Sequence, residues 1–152
     1  MRNYRKNECK MNVIRGFKGY YSWLSNFYIC EVHWHKHTFT SAEHAYQSAK
    51  CFYTKDFELI KNAPLPKAAK RLAKTVKVRP GWDSLKLDVM SMVCFDKFNR
   101  NLELKKKLLG TSNTKLEEAN TWGDRFWGTC EGIGKNYLGL ILMDIRNRLS
   151  VV

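Results

Sequence analysis

Ser41-Ala42-Glu43-His44-Ala45-Tyr46-Gln47-Ser48-Ala49-Lys50, followed by Cys51-Phe52-Tyr53, is the most regular stretch of the chain. Ala42, Ala45, Tyr46, Ala49 and Phe52 or Tyr53 recur at intervals of three and four, the repeat of one helical face. Thr40 or Ser41 offers a hydroxyl to cap the first turn, so the spacing predicts a helix from Ser41 to Phe52. Glu43, then Tyr46 or Gln47, then Lys50 stand at i, i+3 or i+4, and i+7. They share one side of that helix over about two turns. A carboxylate and an amine so placed can exchange protons with a ligand, and burial draws both pKa values toward neutrality. The same spacing also describes a weak ion pair on a solvated face. The alanines and tyrosine alongside favour a half-buried one. His44 points to a different side and is a weak catalytic candidate.

Working outward, Ile29 to Trp34 alternates in a way that predicts a short strand, with a tight turn near Lys36. Phe57 to Asn62 reads as a short helix ended by the Pro64–Pro66 turn. Pro66 then opens a basic helix from Lys67 to Lys77. After Pro80-Gly81, Asp83 or Ser84 caps a helix to about Asn99, with Leu87, Met90, Val93, Cys94, Lys97 and Phe98 on its apolar stripe. Asn101 to Leu109 is a further helix closed by Gly110, and Lys115 to Ala119 is either strand-like or helical. Leu138 to Leu149 is an amphipathic helix with Leu142, Ile145 and Leu149 inward. The expected fold is mainly α, of the α+β kind. It is a compact helical single domain over residues 11–152, with a small β element near the N-terminus and a flexible arm over residues 1–10.

The 152 residues suit one domain whose core needs no disulfide or metal staple. Lys and Arg number 27 against 14 acids, a formal charge of +13 spread along the chain. Such a field attracts polyanions, so a nucleic acid, a nucleotide or a phosphorylated sugar is the natural partner. With no long basic amphipathic helix, a membrane surface is not expected. Cys9, Cys30, Cys51, Cys94 and Cys130 contain no CxxC pair, which argues against a zinc ribbon and for reduced thiols. The polar N-terminus lacks a signal peptide, and Leu138 to Ile145 is too short to span a bilayer. A soluble, cytoplasmic protein is expected.

Three further clusters join polar groups to rigid aromatics or glycines. Ser22 to Tyr28 includes Ser25, Asn26 and Phe27. Trp82 leads to Met90 and Lys97. In the third, Asp124 lies between Trp122 and Trp127, before Gly128, Gly132, Gly134, Asn136 and Gly139. Glycines there permit close backbone approach to a ligand, and a helix opening at Asn136 offers N–H groups to a phosphate. The same loop also reads as a structural turn with Trp127 in the core. It has neither the GxGxxG nor the Walker pattern. His33, His35 and His37 alternate as metal ligands on a strand would, but no Cys or carboxylate stands at ligand spacing. They read as a solvent-facing edge, and no metal or cofactor is expected.

Taken in order, these residues resemble the NADAR family, also called the YbiA-like family. The resemblance runs through Leu24-Ser25-Asn26-Phe27, Ser41-x-Glu43-His44-Ala45-Tyr46-Gln47-x-x-Lys50, and Trp82 with Val89-Met90. It continues through Lys97-Phe98, Leu108-Leu109-x-Thr111, Leu116-x-Glu118-x-Asn120 and Asp124-x-x-Trp127-Gly128. Gly134-x-Asn136-x-x-Gly139 and Leu142-Met143-x-x-Arg146 complete it. His35-Lys36-His37 stands where the family often has a glycine, and the insert Thr129 to Ile133 is short.

The resemblance implies a mainly helical N-glycosidase. Some members are thought to cleave a ribosylamino-pyrimidine phosphate on the riboflavin pathway, and others to remove ADP-ribose from guanine. The basic charge favours the second kind, acting on ADP-ribosylated DNA or RNA. On this reading Glu43 is the acid/base, and Lys50 is its partner or an imine-forming nucleophile. Asp124 holds ribose hydroxyls or water. Ser25, Asn26, Phe27, Tyr46, Trp82, Met90, Lys97 and Trp127 surround the substrate, while Gly128, Asn136 and Gly139 receive phosphate. Two rival functions remain: a module that binds ADP-ribose or NAD without cleavage, and a basic nucleic-acid-binding protein with no catalytic site.

Overall fold

Ser41 decides where the first long-lived helix starts. In the structure, a computed structural model that describes residues 11–151, the Ser41 backbone is extended (φ −158°). Its hydroxyl accepts the His44 N–H at 3.1 Å, so Ser41 rather than Thr40 caps α1 (Ala42–Ala49). The His44 ring meets the same hydroxyl through Nδ1 at 2.6 Å and the Ala63 carbonyl through Nε2 at 2.9 Å. It is a core histidine with a structural task. Every residue of α1 is buried, a deeper placement than the half-burial the pattern predicts. The N-terminal arm expected over residues 1–10 lies outside the described residues.

Several helix ends differ from expectation, for one shared reason. Phe52 N–H donates to the Lys77 carbonyl and Arg79 N–H to the Lys50 carbonyl, each at 2.9 Å, with an antiparallel bridge between Cys51 and Val78. This ribbon claims the backbone of Lys50 to Phe52, so α1 stops at Ala49. It also shortens the basic helix, α3, to Pro66–Leu72. Between them, α2 (Thr54–Lys61) begins earlier than Phe57, behind an extended Tyr53. Gly81, left-handed at φ +73°, is the N-cap of α4 (Trp82–Arg100), so Asp83 and Ser84 lie inside its first turn. Val89, Met90, Val93, Cys94, Lys97 and Phe98 are buried along α4, and Leu87 only partly so. Gly110 is the last residue of α5 (Leu102–Gly110), and Thr111 caps it.

Helices dominate, and the β structure is more dispersed than expected. The N-terminal hairpin forms as β2 (Ile29–Trp34) antiparallel to β3 (His37–Ser41). His33 and His37 lie on different strands with His35 in the turn, so the trio does not line one face. Two parallel pairs also occur: β1 (Val13–Arg15) with β4 (Lys115–Glu117), and β5 (Ala119–Asn120) with β6 (Thr129–Cys130). β2 lies on α4, α6 (Tyr137–Ser150) packs on α4 and β4, and α1 touches α2, α3 and α4. One continuous apolar core results, with a smaller cluster of Ile60, Ala63, Ala69 and Ala73 under α2 and α3. Cys30, Cys51, Cys94 and Cys130 are free thiols. Among the described residues, no helix is long and apolar enough to cross a membrane.

Where α6 meets β4, Gly139 lies so close to the Leu116 carbonyl and the Asn136 side chain that an added Cβ would overlap both. Alanine would gain about 1 kcal/mol of helix propensity. It would also push α6 off a backbone that cannot yield, and overpacking costs about 1–3 kcal/mol. With the Cβ set against rigid backbone the cost falls in the upper part of that range, so Gly139→Ala should be destabilised by about 1–2 kcal/mol in urea unfolding. A variant as stable as the parent would contradict this contact.

Candidate active site

One face of α1 lines a cavity of about 320 Å³. Glu43, Tyr46, Gln47 and Lys50 enter it from α1, as their spacing predicts. Ser25, Asn26 and Phe27 form a second wall, Met90 of α4 the floor, and Asp124 with Trp127 the facing side. The loop before β2 is anchored in two places. Asn26 carbonyl accepts the Glu43 N–H at 3.0 Å, and the Lys97 ammonium donates to the Ser25 carbonyl at 2.8 Å.

Three carboxylates meet here. Glu43 is 6% exposed, and burial raises its pKa. The Gln47 amide, donating to Oε1 at 2.9 Å, and the lysines Lys70 and Lys50 pull the other way; the Asp124 charge pushes up again. Glu118 is pushed up to about 7, first by burial and then by Asp124, against the pull of Lys70. Asp124 is fixed by a double clamp: its N–H donates to Asn120 Oδ1 at 3.0 Å, and its carbonyl accepts from Asn120 Nδ2 at 2.8 Å. Its Oδ1 accepts the Phe126 and Trp127 N–H groups at 3.1 and 3.0 Å, which folds the turn and sets the Trp127 indole. Oδ2 has no hydrogen bond to the described residues, which leaves it for a ligand.

Gln47 Oε1 is enclosed and has no partner among the described residues. A buried acceptor left unmet is costly unless a ligand donor completes it. Tyr46 rests edge-on against Trp127 (5.5 Å between ring centres) and near Trp82 (5.3 Å). Burial, and then the Glu43 charge, push its phenol pKa up, so Tyr46 stays neutral and can donate a hydrogen bond.

Five of the expected site residues do not line this cavity. Trp82 backs Tyr46 and borders a neighbouring cleft with Arg79, Lys86 and Phe126, which shares Tyr46, Lys50 and Trp127 with the cavity. Lys97 is fully buried, its pKa pushed down to about 8 by burial; it positions Ser25 and does not line the cavity. Gly128, Asn136 and Gly139 form no phosphate seat. The Asn136 amide is spent on the Glu118 N–H and the Leu116 carbonyl, both at 2.9 Å. The first N–H groups of α6 donate inward: Asn136 to Gly128, Tyr137 to Phe126 and Leu138 to Trp127. A Cβ on Gly128 would overlap the Glu118 carbonyl. These residues build the Asp124–Trp127 wall and do not face the ligand.

Sequence reading passed over Phe17, Lys70, Glu118, Trp122 and Leu138, which also line the cavity. Lys70 is one lysine among many in a basic helix. Glu118 stands in a stretch whose conformation the pattern left open. Trp122 was visible as the second indole flanking Asp124. The basic helix in fact supplies a cation to the cavity. Lys70 Nζ lies 5.7 Å from the Phe27 ring centre and 6.0 Å from that of Trp122.

Comparison with known proteins identifies the family. Residues 15–150 match the model of the NADAR domain. N-glycosidase YbiA of Escherichia coli is 34% identical over 134 residues, covering 86% of this chain and 83% of that protein. A riboflavin biosynthesis protein of Vibrio vulnificus is 33% identical over 133 residues, 86% of this chain but 36% of its own length. The NMR structure of the E. coli YbiA protein superposes with a TM-score of 0.84 and 31% identity, covering 92% of this chain and 86% of that one. The chain belongs to the NADAR family and is an enzyme of its N-glycosidase kind.

Proposed function

We propose that the chain hydrolyses the N-glycosidic bond between a phosphate-bearing ribose and a nitrogen base, and that its substrate is ADP-ribose attached to guanine in a nucleotide or nucleic acid. The observation that carries this reading is the burial of Glu43 and Glu118, both of raised pKa, beside Asp124 in one cavity with Lys50 and Lys70. Breaking the C1–N bond needs a proton for the departing nitrogen and stabilisation of the positive charge that grows on the sugar. Protonated Glu43 supplies the first. Asp124 Oδ2 faces the developing cation and orients water toward C1. Gln47 Oε1 receives an N–H or hydroxyl of the substrate, and Phe27 and Trp127 wall the base.

The cleft that adjoins the cavity favours the larger substrate. At about 320 Å³ the cavity holds a ribose and a base but not a whole ADP-ribose adduct. The excess can pass Lys50 into the adjoining cleft, where Arg79 and Lys86 offer cations to a diphosphate and Trp82 and Phe126 offer rings to an adenine. A second reading, a ribosylamino-pyrimidine phosphate, is favoured by the likeness to a riboflavin biosynthesis protein. Comparing turnover of ADP-ribosylated guanosine with that of a ribosylamino-pyrimidine phosphate tests the choice. Faster turnover of the pyrimidine would reverse it.

Glu43→Gln should lower kcat by about 10²- to 10⁴-fold, the usual loss of a general acid, with the melting temperature little changed. Normal kcat in that variant would remove Glu43 from the mechanism. For Lys50 two roles separate cleanly under borohydride. If Lys50 forms an imine with the opened sugar aldehyde, releasing water, reduction during turnover traps a covalent adduct that Lys50→Ala cannot form. If Lys50 acts by charge, no adduct appears and Lys50→Arg keeps most activity.

Folding raises the Glu118 pKa from 4.5 to about 7, so between those values the folded chain holds a proton that the unfolded chain has released. Raising the pH through that window therefore favours unfolding. Melting temperature should fall from pH 5 to pH 8, and Glu118→Gln should flatten the decline. An equal decline in the variant would show that Glu118 is not its source.

A further inference from the structure

From Leu59 to Trp82 the chain carries Lys61, Lys67, Lys70, Arg71, Lys74, Lys77 and Arg79 and no Asp or Glu. No other acid-free run holds as many bases: residues 9–30 also lack Asp and Glu but carry only Lys10, Arg15 and Lys18. Helix α3 and the strand-like segment after it form the basic stretch, and at both ends its lysines lie over aromatic rings. At one end Lys70 stands by Phe27 and Trp122, which are 39% and 66% exposed at the cavity. At the other, Lys77 Nζ is 4.4 Å from the ring centre of Phe52 and 5.7 Å from that of Tyr53, and Lys55 is 5.4 Å from Tyr53. Phe52 and Tyr53 are 46% and 45% exposed, in edge-to-face contact at 4.9 Å.

The Lys50–Phe52 and Lys77–Arg79 ribbon joins this outer pair to the catalytic centre. Phe52 is two residues from Lys50, roughly 7 Å of extended chain. Glu58, beyond Tyr53 in a cavity it shares with His37, ends the basic run. Neither Phe52 nor Tyr53 is needed to close the cavity.

We propose that this acid-free stretch, with Phe52 and Tyr53, is a docking surface for an unpaired polynucleotide strand whose modified base enters the cavity. The inference rests on the reading of the substrate as a base held in nucleic acid. Alternating amines and open rings match the alternation of phosphate and base along a single strand. On binding, a base takes the ring face now covered by the Lys77 amine, and the released amine meets a phosphate. A duplex cannot use the rings, because its base faces are stacked, and a base must leave the stack to reach so narrow a cavity. Leu59 and Leu65, 53% and 60% exposed, offer too little apolar area for the alternative of an anionic membrane surface.

The test is direct binding of an unmodified strand of about 12 nucleotides, as DNA and as RNA, within the usual footprint of such surfaces. The same sequence as duplex, and vesicles with anionic lipid, serve as the other arms. Single strands of either sugar should bind more tightly than duplex, with affinity falling as salt rises. Lys74→Gln/Lys77→Gln should make the slope of log K on log salt shallower by about 1.4, or 0.7 for each phosphate released. Phe52→Ala/Tyr53→Ala should weaken strand binding about tenfold or more, the effect of losing stacked bases. Both variants should hydrolyse a mononucleoside substrate at the parental rate.

Duplex binding as tight as single-strand binding would overturn the proposal. So would an aromatic variant that binds like the parent, or vesicle binding without strand binding. Strand binding by a protein that hydrolyses neither candidate substrate would leave the surface in place and remove the proposed function alone.

Discussion

A carboxylate buried within a fully enclosed helix is the constraint on which the rest depends. Ionised Glu43 would be expensive at 6% exposure, so the surroundings must either hold its proton or supply compensating dipoles and charge. They do some of each. Burial raises the proton affinity, while the Gln47 amide and the Lys70 and Lys50 charges pull it back down. Ser41, His44 and the Asn26 carbonyl hold the helix start, and so aim that carboxyl.

Around it the structure uses hydrogen bonds to fix walls and leaves chosen atoms unmet. Asn26, Asn120 and Asn136 are each buried, and each side chain ties two segments together. Lys97 does the same with a single ammonium, its pKa pushed down to about 8 by burial. By contrast Gln47 Oε1 and Asp124 Oδ2 are left without partners among the described residues, on side chains that line the cavity.

The local features were legible in the amino-acid order, and the distant pairings were not. The three-and-four spacing of Ala42, Ala45 and Ala49 announced α1 and placed Glu43 and Lys50 on its ligand side, because a helix converts spacing into direction. Alternation from Ile29 to Trp34 announced β2. Nothing local announced that Val13 pairs with Lys115, or that Lys77 would take the Phe52 amide and cut two helices short. Gly128, Asn136 and Gly139 misled for a related reason. A glycine and an amide before a helix look the same whether their donors face a phosphate or another stretch of backbone. Here the partner was the backbone of the Asp124–Trp127 wall and β4. Glu118, though part of the Leu116-x-Glu118-x-Asn120 motif, and Lys70 were assigned no role, because their place in the cavity comes from burial and from neighbours far along the chain.

That inward spending of the α6 donors also has a kinetic side. With Tyr137 and Leu138 bonded to Phe126 and Trp127, the wall cannot swing outward without fraying the helix that supports it. The exposed rings of the cavity lining are Phe27 and Trp122. Rotation of exposed side chains takes picoseconds to nanoseconds, whereas segmental opening takes microseconds or longer. A freed base leaving past those rings would need side-chain rotation alone, with the Asp124–Trp127 wall left bonded to α6.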